Sequence, residues 1–359
     1  MQFTWGKMLT DKRILVTGGT GSLGRVLVRR LLSGEVGTPK SITVFSRDEA
    51  KQHEMRLAYQ HRRVATDEII YHNFERLLQF RIGDVRDPGA LTAALRRADV
   101  VAHAAALKQV PTCEYFPFEA VQTNIFGVEN LVRAIRESHL PVETVVSVST
   151  DKACKPVNVM GMTKAIQERL IVRGNLDCPG TRLICVRYGN VLASRGSVIP
   201  LFHEQIRQGG PVTITTPEMT RFLLSLEEAV DTIFAAIRSA KAGETYVPRV
   251  PSARIVDVAD VLIGEQHINV VFTGVRPGEK VHEILVSEEE ARRTVKRDGY
   301  YAIAPMLPEL RDEEEVTGHL TGEYSSADEV MSKEAVRELL RDHRLLAAGS
   351  IVYEEDLLA

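Results

Sequence analysis

Bulk properties place this chain of 359 residues among ordinary globular proteins, since 44% of its residues are hydrophobic and 26% are charged. A formal net charge of −3 excludes a broad basic surface, so we predict that it binds neither nucleic acid nor anionic lipid. The four cysteines show no CxxC pair and no zinc spacing, and we find neither a signal peptide nor an apolar run of membrane-spanning length. We therefore expect a cytoplasmic protein without disulfides, a metal site or membrane insertion.

The first half of the chain alternates short apolar runs with helical periodicity. Such alternation predicts an α/β fold with a doubly wound parallel sheet. The spacing of Leu23, Leu27 and Leu31 gives the first helix one apolar face that can lie on this sheet. The predicted strands are 13–17, 41–45, 78–82, 100–102, 144–148 and 183–187.

The pattern loosens after about Arg182 and predicts a smaller second lobe interleaved with the end of the first. We divide the chain into a dinucleotide-binding domain (1–190, rejoined by segments of the second half), a C-terminal substrate-binding lobe (191–310) and a C-terminal extension (311–359). In the extension, the spacing of Val336, Leu339 and Leu340 predicts a docked helix rather than a disordered tail.

A glycine-rich loop, Thr17-Gly18-Gly19-Thr20-Gly21-Ser22-Leu23-Gly24, directly follows the first strand and opens a helix. Glycines permit a tight turn and close backbone approach, and a helix N-terminus presents N–H groups to a pyrophosphate. The alternative is a plain glycine turn, but the strand–turn–helix context favours a dinucleotide. The residues predicted to contact it are Gly18, Thr20, Gly21, Ser22, Leu23 and Gly24.

The end of the second strand distinguishes NADP from NAD. An acidic residue there would bind the ribose hydroxyls of NAD, whereas this chain has Ser46 and Arg47, with Lys51 one turn later. We therefore favour NADP over NAD, the alternative being that both cations are solvated helix charges. Further predicted cofactor contacts are Asp84 and Val85 at the adenine, and Ala104, Ala105 and Ala106 at the nicotinamide ribose.

The stretch after the fifth strand is similar to that of short-chain dehydrogenases/reductases, in which a Ser/Thr and a YxxxK pair transfer protons. Here Met160 stands at the tyrosine position, four residues before Lys164, and a thioether cannot transfer a proton. Either the chain only binds, or another residue acts. The adjacent Asp151 and Lys152 favour the second possibility over an exposed loop ion pair, because they offer an acid and a base at a strand end.

Several motifs, from about Lys12 to Arg311, resemble the 5-inverting UDP-N-acetylglucosamine 4,6-dehydratases of bacterial capsule and O-antigen synthesis. This family lies within the extended short-chain dehydrogenase/reductase superfamily, and Gly322 to Ser326 weakly resembles its C-terminal extension. The motifs are Thr150-Asp151-Lys152-Ala153, the Met160/Lys164 pair, Ala106 to Pro111, Arg187 to Val191, Ala193 to Pro200 and Met219 to Phe222.

The resemblance implies a reaction in which hydride leaves sugar carbon 4 for NADP and later returns to carbon 6. Lys152 would remove the hydrogen on carbon 5, and Asp151 would protonate the hydroxyl that leaves carbon 6. Thr150 and Lys164 would contact the 4-hydroxyl, while the group that deprotonates it in place of the tyrosine stays open. As a base, Lys152 would need its pKa lowered toward neutrality by burial near positive charge, which Lys164 and the oxidised nicotinamide could supply.

Substrate contacts are predicted for a UDP-linked sugar, with solvated surface as the alternative for each residue. Cations would bind the diphosphate and Glu279 the ribose, while the resemblance implies contacts to the sugar, its phosphates and the uracil. The residues are Lys108, Asn190, Arg195, Ser197, Val198, Pro200, Arg221, Arg276 and Glu279, and cofactor contacts are also implied for Lys164, Tyr188 and Asn190.

Rival functions share much of this pattern. A UDP-sugar 4-epimerase would need the tyrosine that Met160 replaces, a 5,6-alkene-forming dehydratase would share the first steps, and a non-catalytic NADP-binding regulator is a third possibility. We expect a homo-oligomer, a hexamer or a dimer, from the resemblance. Phe3 and Trp5, as exposed aromatics, would mark a subunit contact, and the additional residues 61–68 would alter only the local surface.

Overall fold

The computed structural model describes residues 5–60, 68–192, 197–311 and 320–346. The described strands are β1 (Arg13–Thr17), β2 (Ser41–Ser46), β3 (Leu78–Ile82), β4 (Val100–His103), β5 (Thr144–Val148), β6 (Arg182–Val186), β7 (Asn190–Val191), β8 (Val212–Ile214), β9 (Thr220–Leu224), β10 (Thr245–Pro248), β11 (Ser252–Arg254), β12 (Val270–Phe272), β13 (Ile284–Val286), β14 (Thr294–Arg297), β15 (Tyr300–Ile303) and β16 (Tyr324–Ser325).

The described helices are α1 (Ser22–Ser33), α2 (Glu49–Gln60), α3 (Glu68–Leu77), α4 (Pro88–Leu95), α5 (Val110–Tyr115), α6 (Pro117–Ala120), α7 (Gly127–Glu137), α8 (Val159–Asp177), α9 (Val198–Arg207), α10 (Leu226–Ser239), α11 (Ile255–Ile263), α12 (Glu288–Ala291) and α13 (Lys333–Asp342). A π-helical turn, Val121–Phe126, joins α6 to α7, and 3-10 turns lie at Asp151–Ala153 and Pro308–Leu310. Within these residues, every helix is too short or too polar to cross a bilayer.

One large sheet organises the molecule. In the described residues it has nine strands in the order β14-β15-β10-β6-β5-β4-β1-β2-β3. The strands from β10 to β3 pair in parallel, whereas β15 is antiparallel to both β10 and β14. The predicted α/β fold with a doubly wound parallel sheet is confirmed, and strands of the second half complete it as expected.

Apolar helix faces cover both sides of this sheet. On one side, Val26, Leu27 and Leu31 of α1 share a buried cluster with Ile233 of α10. On the other side, Leu91 of α4 shares a second cluster with residues of α7 and α8. The central strands β1, β4, β5 and β6 are therefore buried on both faces, which explains their apolar runs, whereas the edge strand β3 is partly exposed.

The bounds of the predicted strands agree closely with the structure. β1, β3 and β5 have the predicted bounds, β2 and β4 are one residue longer, and β6 begins and ends one residue earlier. The prediction for Trp5 is wrong, because its indole is only 5% exposed and packs edge-on against Phe234 at 5.7 Å. Phe3 and residues 61–67 lie outside the described residues.

The second lobe is built on short strands. β11, β9 and β7 form a small sheet, β12 pairs with β8, and β13 pairs with β16 of the C-terminal extension. The predicted docked helix is confirmed as α13, whose Val336 and Leu340 are buried in the same cluster as residues of α9 and α11.

A buried ion network connects this lobe to the main sheet. Arg187, directly after β6, lies 2.6 Å from Glu168 of α8 and 2.8 Å from Glu290 of α12. Ser149 and Cys154 also donate to these carboxylates, at 2.5 and 3.7 Å. Because breaking a buried charge network is costly, these contacts hold α12 and the adjacent β13 close to the end of β5.

Candidate active site

A cleft of about 690 Å³ lies at the carboxyl ends of the parallel strands. From β1 the chain first adds β2 and β3 on one side and then returns to add β4 on the other side. Sheets of α/β proteins bind ligands at such a topological switch point. All the predicted cofactor residues line this cleft. They are Gly18, Thr20, Gly21, Ser22, Leu23, Gly24, Ser46, Arg47, Lys51, Asp84, Val85, Ala104, Ala105, Ala106, Lys164, Tyr188 and Asn190.

The glycine loop forms one wall and leaves no room for side chains. Gly18 has a φ of +68°, and a Cβ on it would lie 2.8 Å from the backbone nitrogen of Ala105. A Cβ on Gly24 would lie 2.5 Å from the Cα of Gly19. Gly21 caps α1 without a side-chain hydrogen bond, so the positive end of the helix faces the cleft. This cradle fits a pyrophosphate.

The end of β2 forms the far rim of the cleft. The buried Ser46 hydroxyl lies 2.9 Å from the hydroxyl of Thr20. The guanidinium of Arg47, more than half exposed, lies 3.7 Å from Asp84, and Lys51 lies 3.3 Å from Asp48. Both cations therefore have loosely held acidic neighbours and face solvent, an arrangement that leaves them able to pair with an anionic ligand.

The predicted acid–base pair, Asp151 and Lys152, lies in the 3-10 turn after β5. Asp151 is 1% exposed, and its Oδ1 accepts hydrogen bonds from the Thr150 hydroxyl at 2.8 Å and from Nζ of Lys152 at 3.2 Å. Its Oδ2 is buried with no hydrogen-bond partner among the described residues. A buried oxygen left unpaired at the cleft indicates a place for a ligand donor or a proton.

Lys152 has a second acidic neighbour, Glu283, whose Oε1 lies 3.2 Å from Nζ. Burial by itself would lower the pKa of Lys152, but the charges of Asp151 and Glu283 outweigh it, and the pKa is raised. The protein's own groups therefore do not lower this pKa toward neutrality as expected. The opposing cation is Arg221 rather than Lys164.

Lys164 is the lysine whose pKa falls. Its amine donates to the carbonyl of Val148 at 2.7 Å and to Oε1 of Gln167 at 2.8 Å. Burial lowers its pKa to about 8. Met160, one turn earlier on α8, lines the cleft and packs in a small cluster with Cys113 and Ala120. All five predicted catalytic residues therefore meet at the cleft, including Thr150.

Three of the predicted substrate residues also line the cleft, Lys108, Asn190 and Ser197. Oδ1 of Asn190 and Oγ of Ser197 are buried without hydrogen-bond partners among the described residues. Like the free oxygen of Asp151, Oδ1 of Asn190 can accept a hydrogen bond from a polar ligand, and the Ser197 hydroxyl can donate or accept one.

Of the remaining predicted substrate residues, those that the structure describes do not line it. Arg221 is buried, and its guanidinium donates to the carbonyls of Thr220, Lys280 and Val281. These hydrogen bonds are to the backbone and not in the position expected for a phosphate ligand. Glu279 accepts from Thr215 at 3.3 Å. The others are Arg276, which is exposed, Val198 and Pro200 on α9, and Arg195, which lies outside the described residues.

Glu283 is the site residue that sequence analysis missed. It lies in the second lobe, far along the chain from Lys152, and no residue spacing links the two. The one available signal was its place in a polar run after Arg276, which predicted phosphate contacts instead.

Comparison with known proteins gives consistent matches. Residues 14–305 match the family described as polysaccharide biosynthesis protein. A UDP-glucose 4-epimerase of Rickettsia typhi is 44% identical over 302 residues, 82% of this chain and 84% of the relative. A protein of Methanocaldococcus jannaschii named as an uncharacterized membrane protein is 41% identical over 344 residues, 92% and 96% of the two chains.

Among solved structures, the X-ray structure of Pen from Bacillus thuringiensis is 34% identical and aligns with a TM-score of 0.82 over 94% of this chain and 99% of that one. The match thus extends over both lobes and the cleft between them. The chain belongs to the polysaccharide biosynthesis protein family and has the Rossmann-like fold of the extended short-chain dehydrogenases/reductases.

Proposed function

We propose that this chain is a lyase that dehydrates UDP-N-acetylglucosamine across carbons 4 to 6 with inversion at carbon 5, using NADP. The product would be a UDP-4-keto-6-deoxy-L-hexosamine for surface polysaccharide or glycoconjugate synthesis. One observation carries the proposal: Asp151 and Lys152 lie together in the cleft, while the residue at the usual tyrosine position is Met160. Proton transfer is therefore available from a carboxyl–amine pair and not from a phenol.

The cradle at the start of α1 suits a dinucleotide, with the backbone of Gly18, Gly21 and Gly24 around the pyrophosphate. A bound nicotinamide would supply reversible hydride transfer at the sugar. Arg47 and Lys51 would pair with a 2′-phosphate in exchange for their loosely held acidic neighbours, and this favours NADP over NAD.

The protein's own groups divide the proton transfers. Lys164, whose pKa is lowered to about 8, would take the proton of the 4-hydroxyl, which Thr150 orients. Lys152 would remove the hydrogen on carbon 5 after it has lost its own proton. Asp151 would pass the proton that Lys164 takes from the 4-hydroxyl, through its unpaired Oδ2, to the hydroxyl on carbon 6, which leaves as water. Lys108, Asn190 and Ser197 would bind the sugar and the UDP.

A UDP-sugar 4-epimerase is the second candidate, favoured by the name of the relative from Rickettsia typhi. Reversible oxidation at carbon 4 needs a group that returns the proton to the same oxygen; Met160 replaces the phenol that usually does so, and Lys164 would have to serve in both directions. A dehydratase that releases a 5,6-alkene would use the same residues for its first steps. Homo-oligomer formation, as a hexamer or dimer, and a cytoplasmic location stay predictions.

Incubation of the purified protein with UDP-N-acetylglucosamine and NADP in deuterated water tests the proposal. We expect proton NMR to show a 4-keto-6-deoxy product that carries deuterium at carbon 5, because the lysine removes the original hydrogen and a deuteron from the solvent is added to the opposite face of that carbon. UDP-N-acetylgalactosamine as the product would establish the epimerase, and a 5,6-alkene would establish the variant dehydratase. Unchanged substrate, with NADP bound, would contradict all three.

A further inference from the structure

A second carboxylate lies against the ammonium of Lys152. Glu283, immediately before β13, is 2% exposed and its Oε1 lies 3.2 Å from Nζ, the same distance as Oδ1 of Asp151. Its other oxygen, Oε2, is buried with no hydrogen-bond partner among the described residues. A buried carboxylate is costly unless it is paired, and here the pairing partner is Lys152.

The charges around this ammonium come from three elements. Asp151 belongs to the same 3-10 turn and Glu283 precedes β13, and both raise the pKa of Lys152. Arg221 of β9, whose Nε lies 3.9 Å from Oε1 of Glu283, acts in the opposite direction. On α8, Lys164 also lines the cleft, and its amine donates hydrogen bonds to the carbonyl of Val148 and to Gln167. The ammonium thus lies between two acidic groups, one local and one contributed by the distant lobe.

The C-terminal extension holds Glu283 in place. The backbone N–H of Glu283 donates to Oγ of Ser326 at 2.9 Å, and the N–H of Ser326 donates to the carbonyl of Glu283 at 2.8 Å. The Ser326 hydroxyl also lies 2.7 Å from that of Thr220 on β9. β16, directly before Ser326, pairs with β13, so this residue is fixed by both a strand pair and a buried hydroxyl.

We propose that Glu283 is a positioning residue that holds Lys152 in the cleft and controls when it loses its proton, and that Ser326 of the C-terminal extension holds Glu283 there. The part that concerns catalysis rests on the proposed role of Lys152 as the base. To act as a base, Lys152 must first lose a proton and become a free amine, and an adjacent carboxylate opposes the loss of that proton. The extension would then contribute directly to the chemistry of the cleft.

The first test needs no substrate. Wild type, Glu283→Gln and Glu288→Gln are treated at pH 8 with a limiting amine-acylating reagent, and the labelling of Lys152 relative to Lys12 is followed by peptide mass spectrometry. Glutamine keeps the shape of the Glu283 side chain but removes its charge, so the pKa of Lys152 falls and its labelling rises. A fall of one pKa unit raises the fraction of free amine, and with it the labelling, by about tenfold. Glu288 pairs with the exposed Lys155 at 2.8 Å, so its variant is the matched control and leaves Lys152 labelling unchanged.

Unchanged labelling of Lys152 in Glu283→Gln would overturn the proposal, because a purely structural carboxylate would not alter the titration of the amine. Ser326→Ala should raise the labelling in the same direction by a smaller factor, with circular dichroism showing a folded protein. Wild-type labelling in a folded Ser326→Ala variant would remove Ser326 from the proposal.

The second test uses UDP-N-acetylglucosamine and follows kcat/KM against pH. In Glu283→Gln the acidic limb should move to lower pH by the same amount as the labelling, whatever the maximal rate. A limb that stays in place while the labelling shifts would show that Lys152 is not the base. A wild type that converts no UDP-N-acetylglucosamine would overturn the proposed function, and the labelling would still decide the effect of Glu283.

Discussion

Two lysines share the cleft, and their surroundings move their pKa values in opposite directions. Lys164 is buried beside a carbonyl and an amide, and burial lowers its pKa to about 8. Lys152 is only partly buried, with 22% of its side chain exposed; desolvation alone would lower its pKa, but the charges of Asp151 and Glu283 outweigh it and raise the pKa. Near neutral pH, Lys164 therefore has an accessible free-amine form, whereas Lys152 keeps its proton until the surrounding charge changes.

Lys152→Ala should lower the rate of conversion of UDP-N-acetylglucosamine by about a thousandfold or more, because the contribution of a general base to the rate is lost with the amine. NADP should still bind, since the glycine loop and β2 are untouched. Steady-state kinetics and a fluorescence titration of NADPH check the two parts. Lys155→Ala removes an exposed lysine from the same segment and should keep the wild-type rate. Retained turnover in Lys152→Ala would remove the lysine from its proposed role.

Residues next to strand ends could be predicted from sequence, and residues brought in by the second lobe could not. Asp151 and Lys152 follow an apolar strand directly, so the parallel sheet alone places them at the ligand-binding edge. Glu283 and Arg221 reach Lys152 only through the packing of β9 and β13. That packing depends on short strands whose partners no periodic pattern specifies, and Arg221 was accordingly predicted as a phosphate ligand.

At the scale of an element, the opening of α1 depends on close backbone packing. The loop after β1 turns back so tightly that Gly24, in the first turn of the helix, lies against Gly18 and Gly19. The N-terminal end of α1 can lie open to the cleft because no side chain of Gly21 occupies it. The helix position and the dinucleotide cradle are thus parts of the same packing.

Gly24→Ala should weaken NADPH binding by at least about tenfold, equivalent to about 1.4 kcal/mol. Its Cβ would lie 2.5 Å from the Cα of Gly19, so the loop has to move away from the helix. Equilibrium binding by fluorescence measures the effect. Gly180→Ala is the matched control, because its Cβ would meet nothing within 4 Å and its binding should equal that of the wild type. Equal affinities for the two variants would contradict the cradle.

Elements with a clear period were predicted well, and elements without one were not. The strands β1 to β6 carry apolar runs or, in β3, an apolar residue at every second position, so their bounds fall within one residue of prediction. The strands of the second lobe, such as β8, β11 and β12, have only three residues each. A run of three residues carries too little pattern to specify a strand, and its pairing is decided by tertiary contacts.

At the scale of the whole molecule, the C-terminal extension returns across the second lobe. Val336 and Leu340 of α13 are buried against α11, and Nε2 of His203 lies 2.9 Å from the carbonyl of Leu345. Before α13, β16 and Ser326 reach the start of β13. The extension therefore spans from the outer surface of the lobe to the residue beside Lys152.

The double variant Val336→Ala and Leu340→Ala should release α13 from the lobe. Removing buried methyl groups at both positions costs several kcal/mol, on the order of 2–5 for the leucine alone. We expect faster tryptic cleavage within 320–346, mapped by mass spectrometry, while circular dichroism shows the main sheet intact. Glu338→Ala changes an exposed residue of the same helix and should be cleaved at the wild-type rate. Equal cleavage of all three proteins would show that this packing does not hold the extension.

The way the main sheet is completed restricts how the protein could be divided or recombined. β10 lies between β6 and β15, although some sixty residues of the second lobe separate β6 from it along the chain. A fragment that stops at residue 190 would leave β6 as an unprotected edge whose free N–H and C=O groups invite aggregation. A chimaera that takes its sugar specificity from a relative would therefore need separate exchanges before β10, between β10 and β14, and after β15, so that the host keeps its own three closing strands.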